Sequence, residues 1–122
     1  MFEDFIPGKI MTAPRGKGFV IYRGDAGTIK KGLLRGPFGY KVGSLIPFRG
    51  MPVSWSVSKK VAIEFAYGIT EHYNQGRGDG QYVPILMKAI IHKLEVSPNF
   101  WEMEWEVFPI KSKSKIVSIE AV

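Results

Sequence analysis

Glycine and proline interrupt this chain so often that most of it can fold only as short strands joined by tight turns. The 122 residues include 14 glycines and 8 prolines, and these separate apolar runs of a few residues each. Glycine allows turn conformations that other residues avoid, and proline ends helices and internal strands. We therefore expect a sheet-rich chain. The order of strands, one helix and further strands predicts the α+β class rather than alternating β-α-β units.

Only one segment predicts a helix with clear signals. Ser58 is a good N-cap residue, and apolar residues follow it at helical spacing, at Val61, Ala62, Phe65 and Ala66. Segment 74–81 (NQGRGDGQ) is expected to be a polar loop, and Pro84 to mark a sheet edge or a bend. Strands are predicted at residues 19–22, 44–48, 53–56, 82–96, 104–109 and 116–122.

The length and the absence of cysteine limit the possible classes of protein. A chain of 122 residues has room for one domain with a modest core. Without cysteine there is no disulfide framework, zinc–thiolate site or cysteine nucleophile. No signal-peptide pattern opens the sequence, and no apolar run approaches the ~20 residues that a membrane span needs. We therefore expect a cytoplasmic protein without a membrane partner.

The net charge of +6 raises the question of a nucleic-acid partner. The 17 lysines and arginines are spread along the chain, and only Lys111, Lys113 and Lys115 form a regular cluster. Alternation by two would put these three on one face of an extended segment. A solvated strand face that protects a sheet edge from aggregation explains them equally well. Nucleic acid is therefore a partner that the charge permits but does not favour.

Several common motifs are incomplete. Residues 15–18 (Arg-Gly-Lys-Gly) lack the Gly-Lys-Ser/Thr ending and the helix of a phosphate loop, and no GxGxxG follows a strand. His72 and His92 have no companion ligands, so no metal site is predicted. Residues 77–79 (Arg-Gly-Asp) are expected only to turn the chain.

Three other motifs follow one another along the chain: Tyr-Arg-Gly at 22–24, Ser-Trp-Ser at 54–56 and Glu-Trp-Glu at 104–106. Alone, the first is explained by an arginine at a strand's exit, and the second by a turn and cap before a helix. In the third, residues two apart on a strand face the same way. Glu104 and Glu106 would then share one space, and Trp105 would face the core. Because neighbouring carboxylates repel unless a cation or a reaction uses them, this pattern favours a functional site.

In this order the motifs resemble those of the arginine-serine-glutamate mono-ADP-ribosyltransferases, a family found in bacterial toxins, bacteriophages and animals. That family has an aromatic-Arg-Gly strand, a Ser-x-Ser strand, and Glu-x-Glu followed by a hydrophobic pair and often proline. The flanks are similar too, at residues 50–53, at the helix segment 59–66 and at 110–120. The resemblance covers roughly residues 18–122.

The resemblance implies a single minimal catalytic domain over residues 1–122, without the helical lobe that precedes the arginine strand in many relatives. Its fold would have two small packed antiparallel or mixed sheets around an NAD+ cleft, with few helices. NAD+ would be the co-substrate, and ADP-ribose would pass to a protein side chain, as in toxin or phage effectors that modify a host machine. The transition state would be oxocarbenium-like, and a fixed carboxylate stabilises such a cation best in a partly dry cleft.

The resemblance also implies roles for single residues. Glu106 matches the catalytic glutamate and is expected to bind a ribose hydroxyl. Glu104 matches the position that receives the acceptor, and a carboxylate suits a guanidinium, so arginine is the predicted acceptor. Arg23 would anchor the phosphates or the nicotinamide ribose, and the main chain of Gly24 would hold the carboxamide. Ser54 would hydrogen-bond Glu106 and orient it.

Further residues are expected near NAD+. Ser56 belongs to the cofactor site but is expected to be mainly structural, and Trp55 replaces the family's usual threonine. In the family an aromatic side chain packs on nicotinamide and a nearby arginine touches phosphate. The candidates here are Phe65, Tyr67 and Arg77, although its helical spacing favours a place in the helix core for Phe65. Phe100 and Trp101 lie where relatives have the target-recognition loop, or they simply pack.

Three alternative functions stay open on the sequence. The first is a basic nucleic-acid-binding module without catalysis, which predicts salt-dependent binding that NAD+ does not affect. The second keeps the fold but changes the outcome, as an NAD+ glycohydrolase or a transferase acting on nucleic acid. The third is an interaction protein that lost turnover, against which the presence of Arg23, Ser54 and Glu106 argues. The favoured partner remains a target protein with an acceptor arginine.

Overall fold

The computed structural model of the chain describes residues 4–46, 54–77, 81–102, 104–110 and 115–122. Within these ranges the fold has eight strands and one α-helix, which confirms the α+β class. In chain order the elements are β1 (Ile10–Thr12), β2 (Phe19–Lys30), β3 (Leu33–Arg35), a 3-10 turn (Pro37–Gly39), β4 (Trp55–Ser56), α1 (Lys59–Arg77), β5 (Val83–Ile91), β6 (Lys93–Val96), β7 (Glu106–Pro109) and β8 (Ile116–Ala121).

The described strands form one antiparallel sheet in the order β1-β6-β7-β4-β2-β5-β8, with β3 paired to β2. The antiparallel pairing is as expected, but the described strands form one large sheet rather than the two small packed sheets of the prediction. The two halves are joined by β4, which is only two residues long. It pairs with β2 at Tyr22 and with β7 at Val107 and Glu106. A short central strand thus brings distant segments of the sequence together.

Strands β2 and β5 form the longest ladder among the described strands. Their register runs without a break from Phe19 opposite Ile91 to Gly27 opposite Val83. Alternate residues of β5 are fully buried in the core, at Ile85, Met87, Ala89 and Ile91. Leu86 is buried as well, and alternation directs it to the other face, on which α1 packs against β2 and β5. Strands β2 and β5 are therefore covered on both faces, by the hydrophobic core on one and by helix α1 on the other.

Helix α1 lies very close to the sheet because both surfaces carry small residues. Its inward face has Ala62, Ala66 and Thr70, which are buried and four residues apart. On β2, a Cβ atom at Gly24 would clash with the carbonyl oxygen of Ala62. The helix begins where predicted, since the N–H of Val61 donates to Ser58 Oγ at 3.2 Å.

Several predicted boundaries need correction. The helix continues to Arg77, into the segment predicted as a loop, and the side chain of Asn74 both accepts from and donates to the main chain of Tyr82 at 3.0 Å. The strand predicted at 44–48 is reduced to one isolated bridge between Leu45 and Lys115, with residues 47 and 48 outside the described ranges. Residues 78–80 also lie outside them.

Two more predictions concern proline and lysine positions. Pro84 is the second residue of β5, an internal strand and not an edge. It is tolerated there because the register with β8 starts only at Ile85, opposite Ala121. Of the predicted lysine stripe, Lys115 is exposed, and the other two lysines lie outside the described residues. In the part of the chain that the structure describes, no helix is long and apolar enough to cross a membrane.

Candidate functional site

The motifs at 22–24, 54–56 and 104–106 meet around one cavity of about 160 Å³. It lies where β2, β4 and the start of β7 face helix α1. Its lining residues are Tyr22, Arg23, Gly24, Ser54, Trp55, Ser56, Val61, Ala62, Phe65, Ile69, Glu104 and Glu106. The lining thus contains the predicted site residues Arg23, Gly24, Ser54, Ser56, Phe65, Glu104 and Glu106. Of the other candidates, Tyr67 is not in the lining, and Arg77 ends α1 with its main chain while its side chain is outside the description.

Glu106 is the first residue of β7, and it is half-buried in the cavity wall. It lies opposite Ser56 in the β4–β7 ladder, so its position along the wall is set by main-chain pairing. Ladder pairing fixes which side of a strand each residue faces. The carboxylate is therefore carried by a regular element rather than by a loop.

Glu104 reaches the same cavity by a different route from the predicted one. Glu104 and Trp105 do not belong to a strand; they form a turn in which φ is 64° and 58°. The alternation argument for the carboxylate pair is therefore wrong in its geometry, although both carboxylates do line one cavity. Left-handed conformations cost about 1–2 kcal/mol for each non-glycine residue, so surrounding contacts must hold this turn.

Those contacts come from the serine motif and from the residues before the turn. Ser56 Oγ donates to the Glu104 carbonyl at 2.8 Å and accepts from the N–H of Ser58 at 3.0 Å. The Trp105 N–H donates to the carbonyl of Phe100 at 3.1 Å, and its own carbonyl accepts from Val57 at 3.2 Å. The serine that was expected to be structural therefore fixes the main chain that presents Glu104.

Aromatic rings pack behind the same turn. Trp105 is partly buried against the core, as predicted, and its ring lies edge-on to Phe100 at 5.5 Å and to Trp101 at 5.0 Å between centroids. Phe100 is fully buried, which supports the packing alternative for this residue. Trp101 is 52% exposed beside the turn. Edge-to-face contacts of this kind stabilise a local structure beyond simple burial.

Arg23 is held in place from two sides. Its Nε donates to Asp25 Oδ2 at 3.2 Å, its Nη2 lies 3.1 Å from the same oxygen, and its Nη1 donates to the carbonyl of Ser54 at 3.1 Å. The Arg23 side chain is still 23% exposed. An arginine has five N–H donors, so these three contacts leave two for a ligand. Contacts with described residues therefore hold the guanidinium in one orientation and occupy only three of its five N–H donors.

Asp25 is the partner of Arg23, and the sequence analysis did not predict it. It is almost fully buried, and its other oxygen, Oδ1, accepts from the N–H of Ala26 at 2.8 Å. A buried carboxylate of this kind needs a cation and hydrogen bonds, and Arg23 and Ala26 provide them. The predicted strand ended at residue 22, whereas β2 runs to Lys30, so residues 23 and 25 are two apart on one strand and face the same side.

Ser54 joins the site through its main chain, by the bond from Arg23 to its carbonyl. Within the described residues no hydrogen bond joins Ser54 to Glu106, so the predicted orienting contact is absent from this structure. The bond that is present ties the strand of Arg23 to the residue before β4. The serine motif thus connects the arginine and glutamate motifs physically.

Helix α1 supplies the apolar wall of the cavity through Val61, Phe65 and Ile69. Phe65 is 48% exposed, so the alternative that it belongs to the helix core is wrong. Tyr67 is exposed and does not line this cavity. One fixed guanidinium, two carboxylates and an aromatic ring therefore surround a small cleft, which suits a ligand with both anionic and planar parts.

Metal chemistry receives no support from the described residues, among which no cluster of His, Asp or Glu is arranged to hold an ion. Comparison of the chain with protein-family models, with curated proteins and with solved structures found no match. The function must therefore be inferred from the motifs of the chain and from the geometry of this cavity.

Proposed function

We propose that the chain is a mono-ADP-ribosyltransferase that moves ADP-ribose from NAD+ to an arginine of a target protein. The observation that carries the proposal is that three motifs meet around one cavity. In the sequence, about thirty residues separate the first motif from the second, and about fifty separate the second from the third. Motif order alone could arise by chance in a short chain. Convergence on one cleft is what a shared chemical task requires.

The arginine side of the cleft is suited to NAD+. The two remaining N–H donors of Arg23 can bind a phosphate or ribose oxygen. Beside it, β5 pairs with β2 through Gly27, whereas β4 pairs with β2 only at Tyr22. Within the described strands, Gly24 therefore has no ladder partner on the β4 side, and because it also lines the cavity, its main chain is the group proposed to hold the nicotinamide carboxamide. Phe65 offers an exposed ring for nicotinamide to stack on.

Glu106 is the proposed catalytic residue. In the reaction, the bond between nicotinamide nitrogen and ribose C1′ breaks, and its electron pair leaves with nicotinamide, which becomes neutral. Positive charge then grows on the ribose ring. A carboxylate fixed by the β4–β7 ladder stabilises that charge without having to reorganise. The ribose C1′ bonds to a nitrogen of the acceptor guanidinium, which gives up a proton.

Glu104 is proposed to receive the acceptor. It is exposed, whereas Glu106 is half-buried, so Glu104 stands at the mouth of the cleft and Glu106 deeper in it. A guanidinium can pair with the outer carboxylate while its nitrogen approaches the ribose. If Glu104 acts in this way, its loss removes the transfer step and leaves water as the acceptor.

The test is a transfer assay with labelled NAD+ and an arginine-rich protein, in which nicotinamide release is measured in parallel. We expect the wild type to label protein, Glu106→Gln to lose both signals by at least about 100-fold, and Glu104→Gln to keep hydrolysis while losing transfer. Glu102→Gln, an exposed glutamate outside the cavity lining, is the matched control and should behave as wild type.

Three outcomes would contradict the proposal. A wild-type chain that neither labels an acceptor nor releases nicotinamide would exclude catalysis under those conditions. Salt-sensitive binding to RNA or DNA without any effect of NAD+ would then favour the nucleic-acid module. Release of nicotinamide without labelling of any acceptor would identify a glycohydrolase, and labelling of added nucleic acid would change the acceptor class.

A further inference from the structure

A second depression adjoins the first on the outer side of helix α1. It encloses about 480 Å³ and is called here the α1 groove; its lining residues are Val61, Glu64, Phe65, Gly68, Ile69, His72 and Glu104. Four of these also line the smaller cavity, namely Val61, Phe65, Ile69 and Glu104. The two depressions are therefore continuous, and Glu104 stands where they meet.

The α1 groove has an apolar floor and an acidic border. Phe65 and Ile69 contribute the floor, and Phe65 is largely exposed. Glu64 and Glu104 are exposed carboxylates, and among the described residues no lysine or arginine lines the groove. This acidic border stands out in a chain whose net charge is +6. Such a surface favours a cationic occupant and repels the diphosphate of NAD+.

Gly68 keeps the groove open. A Cβ atom at this position would meet nothing within 4 Å, so no close packing requires a glycine here. Glycine inside a helix lowers the stability of that helix relative to alanine. Packing therefore does not explain why α1 has a glycine at this position. Because Gly68 has no side chain, it leaves the helix main chain exposed between Phe65 and Ile69, where another chain can lie close to the helix.

We propose that the α1 groove docks the arginine-bearing segment of the acceptor protein. The segment lies over Gly68 with its acceptor arginine at Glu104 and a second basic side chain beside Glu64. The inference rests on the proposed transferase function and deepens it by giving the acceptor a sequence preference. An isolated arginine should be a weak acceptor, and an arginine with a basic neighbour in an extended segment a good one.

The first test is binding without NAD+, which does not depend on catalysis. The probe is a fluorescently labelled peptide in which arginine alternates with glycine, measured by anisotropy. Gly68→Leu fills the groove and should weaken binding about 10-fold or more. Gly76→Leu is the matched control, because it makes the same change in the same helix, also where a Cβ meets nothing within 4 Å. Glu64→Gln should weaken binding about threefold, the effect of one exposed ion pair.

The second test separates docking from chemistry. Gly68→Leu should lower labelling of the peptide about 10-fold through KM, while NAD+ hydrolysis and transfer to agmatine, a small guanidino amine, change less than about twofold. Equal peptide binding by wild type and Gly68→Leu would overturn the proposal. So would an equal loss of NAD+ hydrolysis in Gly68→Leu, since the groove would then hold NAD+. A wild type that binds peptide but never uses NAD+ would refute the transferase and not the docking groove.

Discussion

The guanidinium of Arg23 is fixed by the Asp25 carboxylate on one side and by the Ser54 carbonyl on the other. These partners differ in kind. Asp25 contributes a buried negative charge from the same strand, and Ser54 contributes a neutral oxygen from a residue 31 positions away. The Asp25 carboxylate sets the orientation of the Arg23 guanidinium, because it interacts with two of the guanidinium nitrogens. Asp25 is therefore a positioning residue that acts through Arg23.

Asp25→Asn should weaken NAD+ binding while leaving the shape of the site intact. The amide oxygen can still accept from Ala26, but the ion pair is lost and Arg23 can turn away. We expect KM for NAD+ to rise about 5- to 10-fold, with a smaller effect on kcat, and stability to fall by about 1–3 kcal/mol. Steady-state kinetics and urea unfolding measure the two effects.

A double-mutant cycle with Arg23→Ala separates positioning from general structure. If Asp25 acts through Arg23, the Asp25→Asn change should have little further effect on KM once Arg23 is absent. Additive effects on KM would contradict the positioning role and assign Asp25 to stability alone. If Asp25 serves stability alone, Asp25→Asn should lower the unfolding midpoint and leave KM for NAD+ unchanged.

At the scale of single residues, the sequence predicted the side that some site residues face but not the backbone conformation of others, and the reasons are physical. Arg23 and Glu106 belong to motifs on strands, where local alternation says which side they face. The turn at Glu104 and Trp105 has no local signal, because neither residue favours the left-handed region. Its conformation depends on bonds from Ser56 and Phe100, which only the folded chain brings near.

The contact between helix α1 and strand β2 is set by small residues on both elements. Gly24 was predicted to let a ligand approach the main chain, but the structure gives it a second role, because Ala62 and Ala66 occupy the space over it. Gly24→Ala would press a methyl group against main-chain atoms of the helix, which cannot move aside as a flexible side chain can. Overpacking typically costs about 1–3 kcal/mol.

Gly24→Ala is therefore expected to lower the free energy of unfolding by about 3 kcal/mol, at the upper end of that range. Gly68→Ala makes the same change in open space on α1 and should raise stability by about 0.5–1 kcal/mol, from helix propensity alone. Urea unfolding followed by circular dichroism measures both. Identical midpoints for Gly24→Ala and wild type would mean that the helix can shift away from the sheet at little cost.

The element boundaries show where local signals end. The start of α1 was predictable because Ser58 caps the helix within its own segment. Its end was not, since the helix runs to Arg77 past Gly68 and Gly76, and Asn74 within it is hydrogen-bonded to the main chain of Tyr82. The apolar run near Leu45 predicted a strand from composition, but a strand also needs a partner, and the described residues give it one bridge.

The described strands fall into two parts on either side of β4. One part contains β2, β3, β5 and β8, and the other contains β1, β6 and β7. Arg23 and Gly24 belong to the first part, and Glu106 to the second. The described ladder joins the parts through one residue pair on one side of β4 and two on the other. A ligand that contacts both Arg23 and Glu106 therefore bridges the weakest line of the sheet.

Hydrogen exchange should reveal this division. Amides of β2 and β5 lie in the long uninterrupted ladder, so they should exchange most slowly, through global unfolding. Amides of β6 and β7, which are short strands separated from β2 by the two-residue strand β4, should exchange faster. NAD+ added to Glu106→Gln, which blocks turnover, should slow exchange in β7 as well as near Arg23, because binding to the folded state stabilises what it bridges.

The distribution of that protection decides between two modes of binding. Protection in both parts means that the ligand ties β2 to β7 across β4, as catalysis at Glu106 on a ligand anchored by Arg23 requires. Protection confined to β2 and α1 would place the ligand on one part only and would contradict the catalytic role of Glu106. Arg23→Ala in the same background is the control, and it should abolish protection in both parts, since the loss of one anchor removes the bridge as a whole.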